Sequence, residues 1–280
     1  MDLVIGLVTD LHFGPEARHE GKLRKLTAQA PRLLDAFVDR MNQVRPSVVV
    51  NLGDDLEDEG RAVDLERYGA VISAFGRLEV PVLHVAGNHD TVHLDRSDLL
   101  RAWGRPAGSQ LYYSLELGGY RLIVLHTIEV KDTSVSIDAE QLGWLEREID
   151  ATTEPIVVFM HHSAADQHLV GNRWFEGKPH ICLVRERAKL RSILELSGRV
   201  LAVFNGHLHW NHLDLVGGIP YVTLQSLIEN VDDDAPGRPA NAHAIVRITP
   251  RRILVEVEGE ERARYQFAPV TVRTGGRARR

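Results

Sequence analysis

Apolar and amphipathic segments alternate along the first ninety residues. Leu3–Thr9 and Val48–Leu52 are continuous apolar runs, which is typical of strands covered on both faces. Between them, apolar residues recur at helical spacing from about Pro31 to Val44, and a second helix is predicted from about Asp64 to Leu78. A third strand is predicted at Val80–Val85. The resulting order, β-α-β-α-β, indicates a parallel sheet with right-handed crossovers.

Shorter apolar runs and glycine pairs dominate the rest of the chain. Gly118-Gly119 and Gly217-Gly218 each separate two short apolar segments, which predicts a hairpin at each pair. The predicted elements are hairpin strands at Tyr112–Leu117, Tyr120–His126, His212–Val216 and Ile219–Thr223, helices near Asp138–Ile149 and Val184–Leu196, and strands at Ile156–Met160, Val200–Phe204, Ala244–Ile248 and Ile253–Val257. Two packed sheets with helices outside them would hold this many strands. We therefore expect one domain over residues 1–273 and a disordered Gly- and Arg-rich tail, 274–280.

The composition is that of an ordinary globular protein. Of the 280 residues, 44% are hydrophobic and 26% are charged, so the chain can bury a substantial core without disulfides. The formal net charge of −6 gives no reason to expect electrostatic wrapping of nucleic acid. Cys182 is the only cysteine, and the apolar run after Met1-Asp2 is shorter than that of a signal peptide. No apolar stretch is long enough to span a bilayer, so we expect a cytoplasmic protein.

Five clusters of Asp, His and Asn recur along the chain, nearly all of them just after an apolar run. Parallel strands open onto one edge of a sheet, so residues far apart in sequence can converge there on one crevice. Carboxylates, imidazoles and one amide form a ligand set for two divalent metals rather than for one structural zinc. The clusters are Asp10-Leu11-His12, Gly53-Asp54-Asp55, Gly87-Asn88-His89-Asp90, His161-His162 and Gly206-His207-Leu208-His209.

These motifs resemble those of the calcineurin-like metallophosphoesterase family, and the match spans most of the chain. The resemblance implies an α/β fold: a four-layer αββα sandwich of two mixed sheets flanked by helices, with a dinuclear metal site at the C-terminal ends of the strands. It also implies that Asp10, His12 and His209 hold one metal, that Asn88, His161 and His207 hold the other, and that Asp54 bridges them. His89 would be the proton donor or a phosphate-contacting residue. Oxygen and nitrogen ligands without thiolate suit Mn, Fe or Zn.

Several residues inside or near the clusters are expected to hold no metal. Glu57 stands where family members often have Asp; it would either orient His89 or, as we favour, lie in a solvated loop. His162 is interpreted as a neighbour of the site, because adjacent residues in a strand point in opposite directions. Asp55 is likewise excluded, and Asp90 is assigned to a turn or a helix start.

Two loops are candidates for substrate selection. The first, Phe13–Lys25, contributes Arg18, and the second, Ser163–His180, contributes Arg173 and Trp174. The cations could hold a phosphate, and Trp174 could stack on a base or flank an apolar leaving group. The competing interpretation is a pair of solvated loops with one or two aromatic anchors in the core.

We therefore expect a metal-dependent phosphoric ester hydrolase that uses a metal-bound hydroxide, with a preference for small phosphodiesters of cyclic or nucleotide type. Phosphomonoesterase or nuclease activity is the alternative within catalysis. A non-catalytic scaffold that retains the fold is the alternative from a different class. The expected partner is a small phosphate ester; nucleic acid enters only as a substrate, no membrane is involved, and the oligomeric state is left open.

Overall fold

The computed structural model describes residues 2–269, and its helices and strands follow the predicted order closely. The predicted tail, 274–280, lies outside the described residues. The elements are β1 Leu3–Val8, α1 Ala30–Val44, β2 Val48–Asn51, α2 Arg61–Phe75, β3 Val82–His84, α3 Arg96–Ala102, β4 Tyr113–Leu117, β5 Tyr120–Val124, β6 Ile128–Val130, β7 Ser134–Ser136, α4 Ala139–Asp150, β8 Ile156–Phe159, α5 Arg187–Ser197, β9 Val200–Asn205, β10 His212–Val216, β11 Ile219–Thr223, β12 His243–Thr249, β13 Arg252–Glu258 and β14 Ala263–Phe267.

Most of the strands belong to two mixed sheets. Within residues 2–269, each of these sheets has six strands, in the orders β14-β13-β12-β1-β2-β3 and β10-β11-β9-β8-β5-β4. The first three strands of the chain are parallel to one another, as predicted. In the second sheet, β5, β8, β9 and β11 are parallel, while β4 and β10 add antiparallel edges through the two predicted hairpins.

The alternation of side chains along the strands builds four layers. On β1, Ile5 and Leu7 face the core between the sheets, where they join Leu122 and Phe159 of the second sheet. The opposite face of the first sheet packs on α1 and α2, and that of the second sheet packs on α4 and α5. The predicted αββα sandwich is therefore confirmed, and the continuous apolar runs are explained by strands that are buried on both faces.

Four short elements were not predicted. The helix α3 has only seven residues, and its start is defined by a capping box in which Asp95 accepts from the amides of Ser97 and Asp98. Strands β6 and β7 have three residues each. Strand β14 places Tyr265 and Phe267 against the inter-sheet core and exposes alternate residues, so its amphipathic pattern was the available signal.

Within residues 2–269, no helix combines the length and the apolar character needed to cross a bilayer.

Candidate metal centre

The residues that follow β1, β2, β3, β8 and β9 converge on one crevice. The loops after β1 and β2 are joined by backbone hydrogen bonds, in which the amides of Asp10 and His12 donate to the carbonyls of Gly53 and Asp54 at 2.9 and 3.0 Å. The loop after β9 joins them, because the amide of His207 donates to the Asp10 carboxylate at 2.9 Å. The predicted convergence of the strand exits is thus present in the structure.

Three side chains form the first donor group. The Nε2 atoms of His12 and His209 lie 3.1 Å apart. The Oδ1 atom of Asp10 lies 3.4 Å from His209 Nε2 and 3.9 Å from His12 Nε2. Zinc or a similar ion binds nitrogen and oxygen at about 2.0–2.2 Å, which requires donors about 3–3.5 Å apart. Two of these three donor separations therefore suit a metal ion, while that between Asp10 and His12 is wider.

The second donor group is centred on His161. Its Nε2 atom lies 3.1 Å from Asn88 Oδ1 and 3.2 Å from His207 Nδ1. The Oδ2 atom of Asp54 completes the group at 3.2 Å and also lies 3.9 Å from His12 Nε2. One carboxylate oxygen thus stands between the two groups, which is the position a bridging ligand needs.

Each imidazole in the two groups keeps one nitrogen free for the crevice. In every ring the other nitrogen faces an oxygen that can accept its N–H, so the inward nitrogen can bind a metal ion once it has lost its proton. The outward contacts are His12 Nδ1 to Glu57 at 3.0 Å and to the Leu56 carbonyl at 3.2 Å, His209 Nδ1 to Glu229 at 2.7 Å, His161 Nδ1 to the Leu52 carbonyl at 2.9 Å, and His207 Nε2 to the Ile181 carbonyl at 3.2 Å. The residues present therefore fit two metal ions.

Concentrated negative charge makes this crevice attractive to cations. Burial alone would raise the pKa of Asp54, but His161 and His89 hold it well below its ordinary value. Burial opposes charge on His161 and His209, yet the carboxylates of Asp54 and Asp10 raise the pKa of His161 to about 10 and that of His209 to about 9. Protons on these rings thus supply the positive charge that metal ions would supply in their place.

His89 is held beside the donor groups by two hydrogen bonds. Its amide donates to Asp54 Oδ1 at 2.9 Å, and its Nδ1 lies 2.5 Å from Asp58 Oδ1. Burial lowers the pKa of His89, but the charges of Asp54 and Asp58 raise it overall. The ring is 26% exposed, so the imidazole borders the open part of the crevice.

The structure corrects the interpretation of Glu57. This side chain is only 15% exposed and is not in a solvated loop. It binds Lys25 Nζ at 2.8 Å and His12, whereas Asp58 is the carboxylate that orients His89. The partner considered for Glu57, His89, is bound by the next residue, Asp58, while Glu57 binds His12. A sequence pattern does not show which of two adjacent carboxylates makes such a contact.

Asp55 and Asp90 hold the loops and do not face the donor groups. Asp90 accepts from the amides of Asp54, Asp55 and Gly87 at 2.8–3.0 Å, and Asp55 accepts from Asn51 Nδ2. Burial, together with Asp54, raises the pKa of Asp90 to about 6, and burial with Asp90 raises that of Asp55 well above its ordinary value. Asp90 lies in the short 3-10 turn His89–Thr91, in agreement with the predicted turn, and it clamps two strand exits.

His162 lies on the same side as His161, against the expectation of opposite directions. Strand β8 ends at Phe159, so strand alternation does not apply to these two rings. The ring centroid of His162 is 4.8 Å from that of His161 and 4.1 Å from that of His207. Its Nδ1 pairs with Thr127 Oγ1 at 2.7 Å, and its buried Nε2 has no partner within the described residues.

A cavity of about 400 Å³ opens over the donor groups. The loop after β8 supplies Trp174, which packs on His209 at 5.5 Å between centroids, and Phe175, which packs on His207 at 4.6 Å. The cationic side chains that line the cavity are Lys25 and Lys131.

The two predicted arginines lie elsewhere. Arg18 is 54% exposed and pairs with Asp234, and Arg173 donates to the carbonyl of Asn230. Neither is among the residues that line the cavity.

Sequence reasoning missed Glu229, which is buried and binds both His209 and the indole nitrogen of Trp174. The sequence predicts the strand β11 but not its pairing with β9. In the structure β11 is parallel to β9, so its exit opens onto the same edge. Asn172 lies in the predicted loop Ser163–His180. It accepts from the amides of Trp174 and Phe175 and donates to the carbonyl of Leu208, between His207 and His209.

The sequence is similar to a known protein family and to phosphodiesterases of other organisms. A family model described as calcineurin-like phosphoesterase matches residues 3–211. A probable cyclic nucleotide phosphodiesterase of Synechococcus sp. is 26% identical over 212 residues, covering 75% of this chain and 74% of that protein. A cAMP/cGMP dual specificity phosphodiesterase of Mycobacterium tuberculosis is 29% identical over 227 residues, covering 78% of this chain and 65% of that protein.

Solved structures show the same fold. A dimetal phosphatase from Danio rerio superposes with a TM-score of 0.77 at 19% identity, covering 96% of this chain and 99% of that one. A purple acid phosphatase from yellow lupin gives a TM-score of 0.69 at 12% identity, covering 96% of this chain and 54% of that one.

Proposed function

The chain belongs to the calcineurin-like phosphoesterase family and is a metal-dependent phosphoric ester hydrolase, and on this premise we propose that it is a dinuclear phosphodiesterase for small diesters such as cyclic nucleotides. The observation that carries the proposal is the position of Asp54 Oδ2, 3.2 Å from His161 Nε2 and 3.9 Å from His12 Nε2. This oxygen joins two donor groups that are each able to hold an ion.

The proposed ligands divide as the two groups do. Asp10, His12 and His209 hold one ion, Asn88, His161 and His207 hold the other, and Asp54 bridges them. Two bound cations would supply the positive charge that attracts an anionic diester and would lower the pKa of a bound water towards neutral pH. Asn88 contributes a neutral oxygen, so the loaded centre stays attractive to phosphate. The nitrogen and oxygen donors suit Mn, Fe or Zn.

His89 is the proposed proton donor to the leaving oxygen. Asp58 fixes its Nδ1, so the Nε2 side of the ring is available to the cavity. The amide of His89 is tied to Asp54 Oδ1, which places the ring beside the proposed bridge. A positioned imidazolium contributes typically about 10²–10⁴-fold to the rate of such a step.

The preference for small diesters is supported by the cavity and by the relatives. A volume of about 400 Å³ lies in the range of small-molecule sites and suits one nucleotide. Trp174, which we propose as a substrate-binding residue, forms an apolar wall. The charged side chains of the lining are the cations Lys25 and Lys131 and the carboxylates Asp54, Glu57, Asp58, Glu129 and Asp132. The two relatives described above bear the names of cyclic nucleotide phosphodiesterases. The proposed location is the cytoplasm, which the single free thiol of Cys182 favours.

A substrate panel tests this proposal. Metal-stripped protein is reloaded with Mn, Fe or Zn and given cyclic nucleotides, aryl diesters, aryl monoesters and single-stranded DNA. We expect turnover of cyclic nucleotides and aryl diesters above the other substrates. Dominant monoester or DNA hydrolysis would replace the diesterase by a phosphomonoesterase or a nuclease. A folded, metal-loaded protein without any turnover would be a scaffold.

A variant pair tests the role of His89. His89→Ala should lower kcat by about 10²–10⁴-fold while the bound metal stays at the wild-type level. The matched control is His93→Ala, an exposed histidine in the same segment, which should leave both quantities unchanged. Loss of metal in His89→Ala would instead make His89 a ligand.

A further inference from the structure

The histidines of the two donor groups are backed by different oxygens. Behind the first group, the outward nitrogen of His12 lies 3.0 Å from Glu57 and that of His209 lies 2.7 Å from Glu229. Behind the second group, the outward nitrogens of His161 and His207 face backbone carbonyls. Both backing carboxylates are therefore on one side of the proposed centre.

Both carboxylates are enclosed and fixed in place. Glu229 is 3% exposed, and it also accepts from the indole nitrogen of Trp174 at 3.1 Å. Glu57 is bound by Lys25 at 2.8 Å.

The charges around the two groups consequently differ. Asp10, Glu57 and Glu229 surround the first group. Lys25 offsets part of this charge at 2.8 Å from Glu57, and Arg173 does so at 4.0 Å from Glu229. The second group has the neutral donor Asn88 and shares Asp54 with the first. A carboxylate behind an imidazole raises its basicity as a ligand and fixes its orientation.

We propose that Glu57 and Glu229 are positioning residues that make the group of Asp10, His12 and His209 the tighter metal site, so that the centre fills in a fixed order. This inference rests on the proposed dinuclear centre. The carboxylates act through His12 and His209 and need no contact with the metal or the substrate.

Metal titration tests the order of filling. Mn²⁺ is titrated by calorimetry into the metal-stripped full chain, and EPR separates the isolated ion from the coupled pair. We expect two steps at least about 10-fold apart in affinity, with the isolated ion alone at one equivalent. Asn88→Ala should lose the weak step and retain the tight one, which assigns the steps to the groups.

The charge of Glu229 is tested by Glu229→Gln, which keeps the size of the side chain. The tight step should weaken by about 10- to 100-fold and the weak step should stay within about 2-fold. The matched control is Glu258→Gln, because Glu258 also binds a histidine, His243 at 3.2 Å, and neither residue lines the cavity. This control should leave both steps unchanged.

Three outcomes discriminate between the proposals. An unaltered tight step in Glu229→Gln, or equal weakening of both steps, would overturn the role of the carboxylates. Thermal unfolding without metal shows whether Glu229→Gln folds. If it does not, Glu57→Gln replaces it, and the affinity of the tight step is then measured through His12. Wild-type protein that binds no Mn²⁺, Fe or Zn at all would contradict the proposed dinuclear centre itself.

Discussion

Five of the seven proposed ligands, all within residues 2–269, have a left-handed backbone conformation, which residues other than glycine rarely adopt. They are Asp10, His12, Asp54, His207 and His209, with φ between 45 and 68°. Each such residue costs of order 1–3 kcal/mol and persists only where its surroundings fix it. Hydrogen bonds between the loops do so here, as in the contact of the His207 amide with Asp10. The resemblance of the motifs to a known family predicted these ligands, but their conformations depend on contacts between distant loops, which sequence patterns do not contain.

Close approach of two loops makes Gly206 indispensable. A Cβ atom there would lie 1.9 Å from Thr9 Oγ1 and 2.7 Å from Asp10 Oδ2. We expect Gly206→Ala to lower the free energy of unfolding by about 1–3 kcal/mol and to reduce bound metal, because the Asp10 carboxylate must shift.

Denaturant unfolding and metal analysis measure these two effects. The control is Gly69→Ala in α2, where a Cβ atom meets open space and where alanine should add about 0.5–1 kcal/mol. Wild-type metal content in Gly206→Ala would show that the Asp10 loop tolerates the displacement.

At the scale of elements, hydrophobic periodicity predicted the long helices and the buried strands because burial on both faces leaves a continuous apolar run. It did not predict α3, β6 and β7, which are too short for a periodic pattern, or β14, which is half exposed. The segment after β8 was predicted as a substrate loop. Its aromatic rings line the cavity and also pack on the proposed ligands. Asn172 holds the segment in this position through the carbonyl of Leu208 in another loop, and the sequence pattern does not show this contact.

Asn172 ties this segment to the exit of β9. Its side chain accepts from two amides of the segment at 2.9 Å and donates to the Leu208 carbonyl at 2.8 Å, and the residue is 4% exposed. Asn172→Ala leaves buried polar groups unpaired and should cost about 1–3 kcal/mol of stability. We also expect weaker metal binding, because Trp174 and Phe175 then no longer hold His209 and His207.

The control for this element is Asn42→Ala. Asn42 also binds two backbone groups, at Arg77 and Glu79, but it lies away from the centre. Both variants should lose stability in denaturant, whereas only Asn172→Ala should raise the metal dissociation constant. Equal metal affinity in the two variants would mean that the segment does not support the ligands.

At the scale of the whole molecule, buried histidines make the fold sensitive to acid. His84 on β3 is stacked on Trp103 and edge-on to Phe75, and burial lowers its pKa to about 4 from 6.5. Between pH 6.5 and about pH 4, His84 is protonated in the unfolded chain but neutral in the folded chain. The free energy of unfolding therefore falls as the pH drops through this range. The contribution of His84 between pH 7.5 and pH 5 is about 2 kcal/mol.

His84→Gln tests this sign and magnitude. Urea unfolding of both proteins at pH 7.5 and pH 5, with a chelator present so that metal binding does not contribute, gives the loss of stability in each. The loss should be smaller by about 2 kcal/mol in the variant. Identical losses would show that His84 is accessible to protons in the folded state.

The topology explains why residues 10 to 209 meet at one place: the ligand-bearing loops leave the C-terminal ends of parallel strands in two facing sheets. The most direct test of this account is the rate of cyclic AMP hydrolysis measured against added Mn²⁺ equivalents. The account predicts no turnover in the metal-stripped protein, full turnover only once the second equivalent is bound, and loss of both metal and turnover in Asp54→Ala. Full activity in the metal-stripped protein, or in Asp54→Ala, would contradict it.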